Sequence, residues 1–183
     1  GEGAIYVYDF VNAASGTVLV KGFYLTFPDA HDSHTVSNGV FNIMDGGIYY
    51  DAGGPATFEN NAGATLSIKD GSGMDVTETA IVNRGRIIFD KIAYFGAQSL
   101  TLKSGSSWEL TLLQNARPDV EIGSLDVAQS PTINVRGDVG SYELFVSALV
   151  GIPRFVDNQG RRVTWTYEEG VLTITIHENV SIP

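Results

Sequence analysis

Two short stretches decide the fold: Asn61-Ala62-Gly63-Ala64-Thr65-Leu66-Ser67-Ile68 and, further on, Asn83-Arg84-Gly85-Arg86-Ile87-Ile88-Phe89. Each is a polar corner with Asn and Gly, followed by apolar residues at every second position. The same grammar precedes them in Gly16-Thr17-Val18-Leu19-Val20 and Asn38-Gly39-Val40-Phe41-Asn42-Ile43. It follows them in Gly105-Ser106-Ser107-Trp108-Glu109-Leu110 and Gly123-Ser124-Leu125-Asp126-Val127. The intervals between these glycines are 23, 24, 22, 20 and 18 residues.

A period of this length, with side chains alternating and no 3.6-residue spacing, predicts one coil of a β-solenoid per repeat. Second strands fall between the main ones, at Gly47-Ile48-Tyr49-Tyr50, Ile92-Ala93-Tyr94-Phe95 and Leu100-Thr101-Leu102. Alternation places Leu66, Ile68, Ile87, Phe89 and Leu110 inside the stack, at equivalent or neighbouring inward positions. The corner Gly and Asn residues are expected to accept positive φ, and stacked Asn side chains to hydrogen-bond along the axis. Ordinary Asn-Gly hairpins of a β-sandwich are the competing reading.

The repeat fades after Val127. Longer alternating strands follow at Pro131–Val135, Tyr142–Val146, Val163–Tyr167 and Val171–Ile176, the last two joined by a turn at Glu168-Glu169-Gly170. An open solenoid end exposes unpaired backbone, so this region is expected to be a cap. The expected organisation is therefore an all-β, right-handed parallel β-solenoid over residues 1–130, with a β-hairpin or sandwich cap over 131–183 packed on it.

Composition agrees with a sheet protein. The 183 residues include 46 that are β-branched, together with 21 Gly, 8 Tyr and 9 Phe. No apolar run is long enough for a transmembrane helix, and the absence of Cys excludes a disulfide framework. Eleven Lys and Arg against 21 Asp and Glu give a net charge of −10. That balance excludes nucleic acid and anionic membrane as expected partners, since both demand a basic stripe. No basic-then-apolar leader opens the sequence at Gly1, so any signal peptide is expected either to have been removed or to lie outside this sequence.

The coils, with Thr132-Ile133-Asn134-Val135-Arg136-Gly137 and Tyr167-Glu168-Glu169-Gly170-Val171-Leu172-Thr173-Ile174, resemble the N-terminal ligand domain of fungal hyphally regulated cell-wall adhesins. The likeness covers residues 36–176, although this chain has none of the cysteines that family uses. Passenger domains of bacterial autotransporters resemble it equally in their Asn- and Gly-rich coils. Either resemblance implies a secreted or cell-surface location and a closing β cap.

Candidate chemistry is sparse. Asp29, His31, Asp32 and His34 crowd a stretch beside Pro28, where a solvated turn is expected rather than a metal site. Asp70, Asp75 and Glu78 flank Gly71-Ser72-Gly73 without the spacing of a calcium loop. His177 stands at a strand end and is expected to be exposed. Asp70, Asp90, Arg84 and Arg86 could form an acid–base patch on one face, the basis for an alternative reading as a polysaccharide lyase or hydrolase. No Gly-x-Ser-x-Gly elbow is present.

Aromatic residues crowd the first fifty positions, and exposed tyrosine faces stack on sugars. Tyr24, Tyr49, Tyr50 and Tyr94 are the expected ligand-binding residues. The expected function is a non-enzymatic adhesin or structural module, without cofactor or metal. It would bind a neutral glycan, a protein surface or a like module, with self-association included.

Overall fold

A computed structural model describes the backbone of residues 4–6, 10–22, 24–27, 34–50, 56–69, 71–112 and 119–179. The chain is an all-β solenoid. Its first winding runs through β1 (Ala4–Tyr6), β2 (Phe10–Asn12) and β3 (Thr17–Lys21). The second uses β4 (Tyr24–Phe27), β5 (His34–Ser37) and β6 (Val40–Met44), and the third β7 (Gly47–Tyr50), β8 (Ala56–Asn60) and β9 (Thr65–Lys69). From the fourth winding on, the first two strands fuse into one bent strand. The remaining pairs are β10 (Gly73–Asn83) with β11 (Arg86–Asp90), β12 (Tyr94–Leu102) with β13 (Ser107–Leu112), β14 (Asp119–Asp126) with β15 (Thr132–Gly137), and β16 (Gly140–Val150) with β17 (Arg154–Asp157).

Two sheets result. A 7-stranded sheet takes one strand from each winding, in the order β3-β6-β9-β11-β13-β15-β17, all parallel. The 12-stranded sheet carries the first and second faces and ends in β18 (Val163–Glu168) and β19 (Val171–Ile176).

Alternation fixes what faces inward. In the 7-stranded sheet one inward column is Val18, Phe41, Leu66, Ile87, Trp108, Ile133 and Phe155, and the next is Val20, Ile43, Ile68, Phe89, Leu110, Val135 and Asp157. Leu66, Ile68, Ile87, Phe89 and Leu110 are all buried, in the register that the repeat predicts. Phe89 packs against Phe95 at 4.5 Å between ring centroids and edge-on against Trp108 at 5.5 Å. Burying one such ring contributes about 1.5–3 kcal/mol.

The corner between second and third faces holds two hydrogen-bonded columns. The inner one is Asn12, Ser37, Asn60 and Asn83, fully in register and buried. Asn60 Nδ2 donates to Asn83 Oδ1 at 2.7 Å and to the Arg86 carbonyl at 3.0 Å, while Asn83 Nδ2 donates to the Ser107 carbonyl at 3.2 Å. Asn12 Nδ2 reaches the Val40 carbonyl at 3.0 Å. In the outer column, Asn61 Nδ2 donates to Asn38 Oδ1 at 2.8 Å, and Arg84 donates to Asn61 Oδ1 at 3.3 Å. The expected Asn ladder exists, but Asn38 and Asn61 belong to one column and Asn83 to the other.

The reason for the corner glycines is also split. Gly63 and Gly105 do adopt positive φ, at 82° and 78°. Gly39 and Gly85 do not: there, a Cβ would lie 2.3 Å from a carbonyl oxygen of the preceding winding. Those two are glycines because backbone passes close to backbone, and none of the corner asparagines is left-handed. Gly123 is no corner at all. It sits inside β14, where a Cβ would meet the Gln98 carbonyl at 2.4 Å.

The solenoid runs further than the sequence repeat. Parallel pairing continues from β13 to β15 and β17, and from β14 to β16, so winding persists past residue 130 to Asp157. The glycine signal fades there because the next corner takes positive φ at Ser130 (51°). What closes the end is the β18–β19 hairpin. β19 adds antiparallel to β16 along Gly140–Phe145, and β18 adds antiparallel to β19. Val163, Trp165 and Tyr167 of β18 pack against the core. The Tyr167 hydroxyl donates to the carbonyls of Val146 and Ser147, at 3.0 and 2.9 Å, on the part of β16 that β19 does not cover.

Candidate functional site

Chemistry has to be sought on the two outer sheet surfaces, because the interior is mostly apolar and its polar corner column and Asp157 are closed off from solvent. On the 12-stranded sheet, the outward row through Asp75, Gly96, Glu121 and Phe145 crosses four windings in register. Inward neighbours Phe95, Val120, Leu144 and Val146 are buried, which turns Glu121, Glu143 and Phe145 to solvent. Phe145 is 41% exposed, the largest exposed ring among the described residues. A trough of about 430 Å³ lies beside it, lined by Thr77, Gln98, Glu121, Gly123, Phe145 and Ser147 among others. Gly123 keeps its floor open.

Tyr94 borders this surface and is half-buried. Its phenol lies over Gly96, where a Cβ would sit 2.3 Å from the hydroxyl oxygen, so Gly96 gives the ring its resting place. Tyr94 and Phe145 thus stand two windings apart, with Glu121 in the row between them. Of the other sequence-predicted tyrosines, Tyr24 lies in β4 opposite Gly47, Tyr49 in β7 opposite Thr26 and Asp75, and Tyr50 opposite Phe27. The side chains of Tyr24, Tyr49 and Tyr50 lie outside the described residues.

The 7-stranded sheet bears a second depression of about 480 Å³ on its outer surface. Lys69, Arg86, Asp90, Glu109, Thr111 and Arg136 line it. Two members of the expected acid–base patch meet here, Asp90 and Arg86. Arg86 is engaged in a bidentate pair with Glu109, at 2.5 and 2.7 Å, and those hydrogen bonds hold its guanidinium above the usual pKa. Asp90 accepts from the Thr111 hydroxyl at 3.1 Å. Arg84 is elsewhere, on the corner, paired with Glu59 at 2.8 Å, and Asp70 lies outside the described residues.

The histidines divide similarly. Asp29, His31 and Asp32 lie outside the described residues, whereas His34 is exposed with Nε2 3.5 Å from Glu59. His177 is half-buried and engaged: Nε2 is 2.7 Å from the Thr164 hydroxyl and Nδ1 3.3 Å from Arg162. Asp75 and Glu78 stand on β10, half-buried and exposed. Among the described residues no three His, Asp or Glu side chains gather where they could hold a metal ion.

Phe145 is the functional candidate that sequence reading missed. It was legible in principle: Tyr142, Leu144 and Val146 alternate inward, and that parity forces Phe145 outward beside Glu143. No family model matches the chain, and neither the curated proteins nor the solved structures contain a match.

Proposed function

We propose that the chain is a non-enzymatic, secreted or cell-surface adhesin module that binds a neutral glycan on the outer face of its 12-stranded sheet. The observation that carries this reading is the trough bounded by the exposed Phe145 ring. An aromatic face supplies stacking area for the C–H side of a sugar, and Gln98, Ser147 and Glu121 supply donors and acceptors for hydroxyls. Glu121 and Glu143 flank the ring and would repel an acidic sugar, which favours a neutral one. The surface setting draws its support from the resemblance to fungal adhesins and autotransporter passengers. Protein surfaces and like modules could use the same open face.

The test pairs a glycan array with a polysaccharide-degradation screen. Phe145→Ala should weaken binding of the captured glycan by about tenfold or more with an unchanged melting temperature. Turnover that Asp90→Asn or Glu109→Gln abolishes would replace this reading with the lyase or hydrolase alternative. Binding indifferent to Phe145→Ala would move the site off this trough.

A further inference from the structure

The charges of this acidic chain are segregated by sheet. Strands of the 12-stranded sheet carry Glu59, Asp75, Glu78, Asp119, Glu121, Asp126, Glu143 and Glu168 and not one Lys or Arg. Strands of the 7-stranded sheet carry Lys21, Lys69, Arg86, Arg136 and Arg154. Of the carboxylates on strands of that sheet, Asp90 and Glu109 alone oppose them on its outer surface, because Asp157 faces inward and is buried against Arg161. Glu109 is already taken by Arg86. Lys21, Lys69, Arg136 and Arg154 make no ion pair among the described residues.

We infer that the outer face of the 7-stranded sheet binds an acidic linear polysaccharide, a site separate from the trough around Phe145. Register sets the spacing of its cations. Lys21, Met44, Lys69 and Asp90 follow one another along one outward column, which continues through Thr111 and Arg136. At about 4.8 Å per winding, Lys21 and Lys69 are roughly 10 Å apart, and Lys69 and Arg136 roughly 14 Å. Arg86 and Arg154 are likewise three windings apart in the outward column next but one, through Ser107 and Thr132, with the column of Ile88 and Glu109 in between.

Such wide spacing suits a polymer with one charge per sugar or per few sugars. Duplex nucleic acid carries one charge per about 1.7 Å and would press its phosphates against Asp90 and Glu109. Between the cations lie Thr111, Asn134 and Asn158, which can hydrogen-bond sugar hydroxyls, and the half-buried Ile88, which can meet their C–H faces. The net charge of −10 does not forbid this. Eight of the 21 carboxylates stand on strands of the opposite sheet, about 10 Å or more away and beyond a physiological Debye length of about 8 Å.

The experiment is calorimetric titration with short oligogalacturonates, matched neutral cello-oligosaccharides and a DNA duplex of equal length. It is run at salt from about 50 mM to 500 mM, alongside sedimentation velocity of the protein alone. The expected result is binding of the oligogalacturonate that weakens steadily with salt, and weakens about tenfold or more in Lys69→Glu/Arg136→Glu with the melting temperature kept. Phe145→Ala should leave it unchanged, which separates this site from the neutral-glycan trough whichever of the two fails. The inference is overturned by an absence of binding at low salt, by equal binding of the neutral oligomer, by indifference to the double reversal, or by tighter binding of DNA. It is also overturned if the basic face proves occupied by the acidic sheet of a second copy. That outcome would appear as salt-sensitive self-association, abolished by the same double reversal, without oligogalacturonate binding.

Discussion

In the first four windings the corner between second and third faces is filled by Asn12, Ser37, Asn60 and Asn83, and in the next two the same position holds Leu102 and Val127. All six are buried. The chain therefore solves one steric problem in two chemistries, a polar column whose amides stitch one winding to the next and an apolar column that needs no partners. Both work because each is internally consistent: a buried amide is tolerated when its donors are met, and a buried Leu has none to meet. A third solution closes the inward column that runs through Phe89, Leu110 and Val135. Its last rung is Asp157, whose Oδ2 accepts from the backbone N–H groups of Gln159 and Arg161, while Arg161 grips both carboxylate oxygens.

The largest effect should come from what all windings share, the apolar wall. Phe89→Ala should cost about 3–5 kcal/mol in denaturant unfolding, through lost burial and a cavity beside Phe95 and Trp108. A cost below about 1 kcal/mol would mean that the inward register is wrong.

Next comes the polar column itself. Asn60→Ala removes the donor that Asn83 Oδ1 and the Arg86 carbonyl share and should cost about 1–3 kcal/mol. Converting both rungs to the later windings' chemistry, Asn60→Leu with Asn83→Leu, should cost less than the two single changes added together. A coupling of about 1 kcal/mol in the double-mutant cycle would express that. Strict additivity would show that the amides are merely adjacent, and the contrast between the two corners would collapse.

The ionic rung differs from both because it titrates. Hydrogen bonds from the Arg161 side chain hold the Asp157 carboxyl below its ordinary range, against the opposing pull of burial. A folded pKa below the unfolded value of about 3.9 means that the contribution is complete above that value and is lost as pH falls through the folded one. Asp157→Asn should therefore be less stable than the parent at neutral pH, and the two should converge on acidification below about pH 4. Thermal unfolding followed across that window decides it. A constant gap at every pH would assign the loss to packing alone.

The smallest predicted change is a gain. Asn60 Oδ1 is buried without a partner, because the rung before it is Ser37, whose hydroxyl donates to the Gly39 carbonyl instead. Ser37→Asn would bring an amide donor to that oxygen and should add about 0.5–1.5 kcal/mol. If the variant is destabilised, the column at the second winding is too tight for an amide.

These features were unevenly legible in the sequence. Alternation is a local signal, and it placed Ile68, Phe89 and Leu110 in one inward column without knowledge of any turn. The corner was half legible: Asn38, Asn61 and Asn83 stood out within two residues of a glycine, but Asn12 and Ser37 did not, since the next Gly after Asn12 is four residues on and Ser37 carries no amide. The end of the winding was misplaced because positive φ passed from glycine to Ser130, which leaves no compositional mark. Phe145 stayed hidden in an ordinary alternating strand. Segregation of charge could not be read at all until each strand was assigned to its sheet, for the acidic and basic residues are interleaved along the chain.

That segregation has a consequence for how the molecule meets its surroundings. A solenoid whose strand carboxylates stand mainly on one sheet and whose strand cations stand on the other carries an electric dipole between its two sheets, whatever its total charge. Near a charged surface it experiences a torque as well as a force. The torque acts before contact and turns the cationic side toward negative charge and the Phe145 side away from it. Orientation on landing is then set by the arrangement of charge between two sheets, not by its sum.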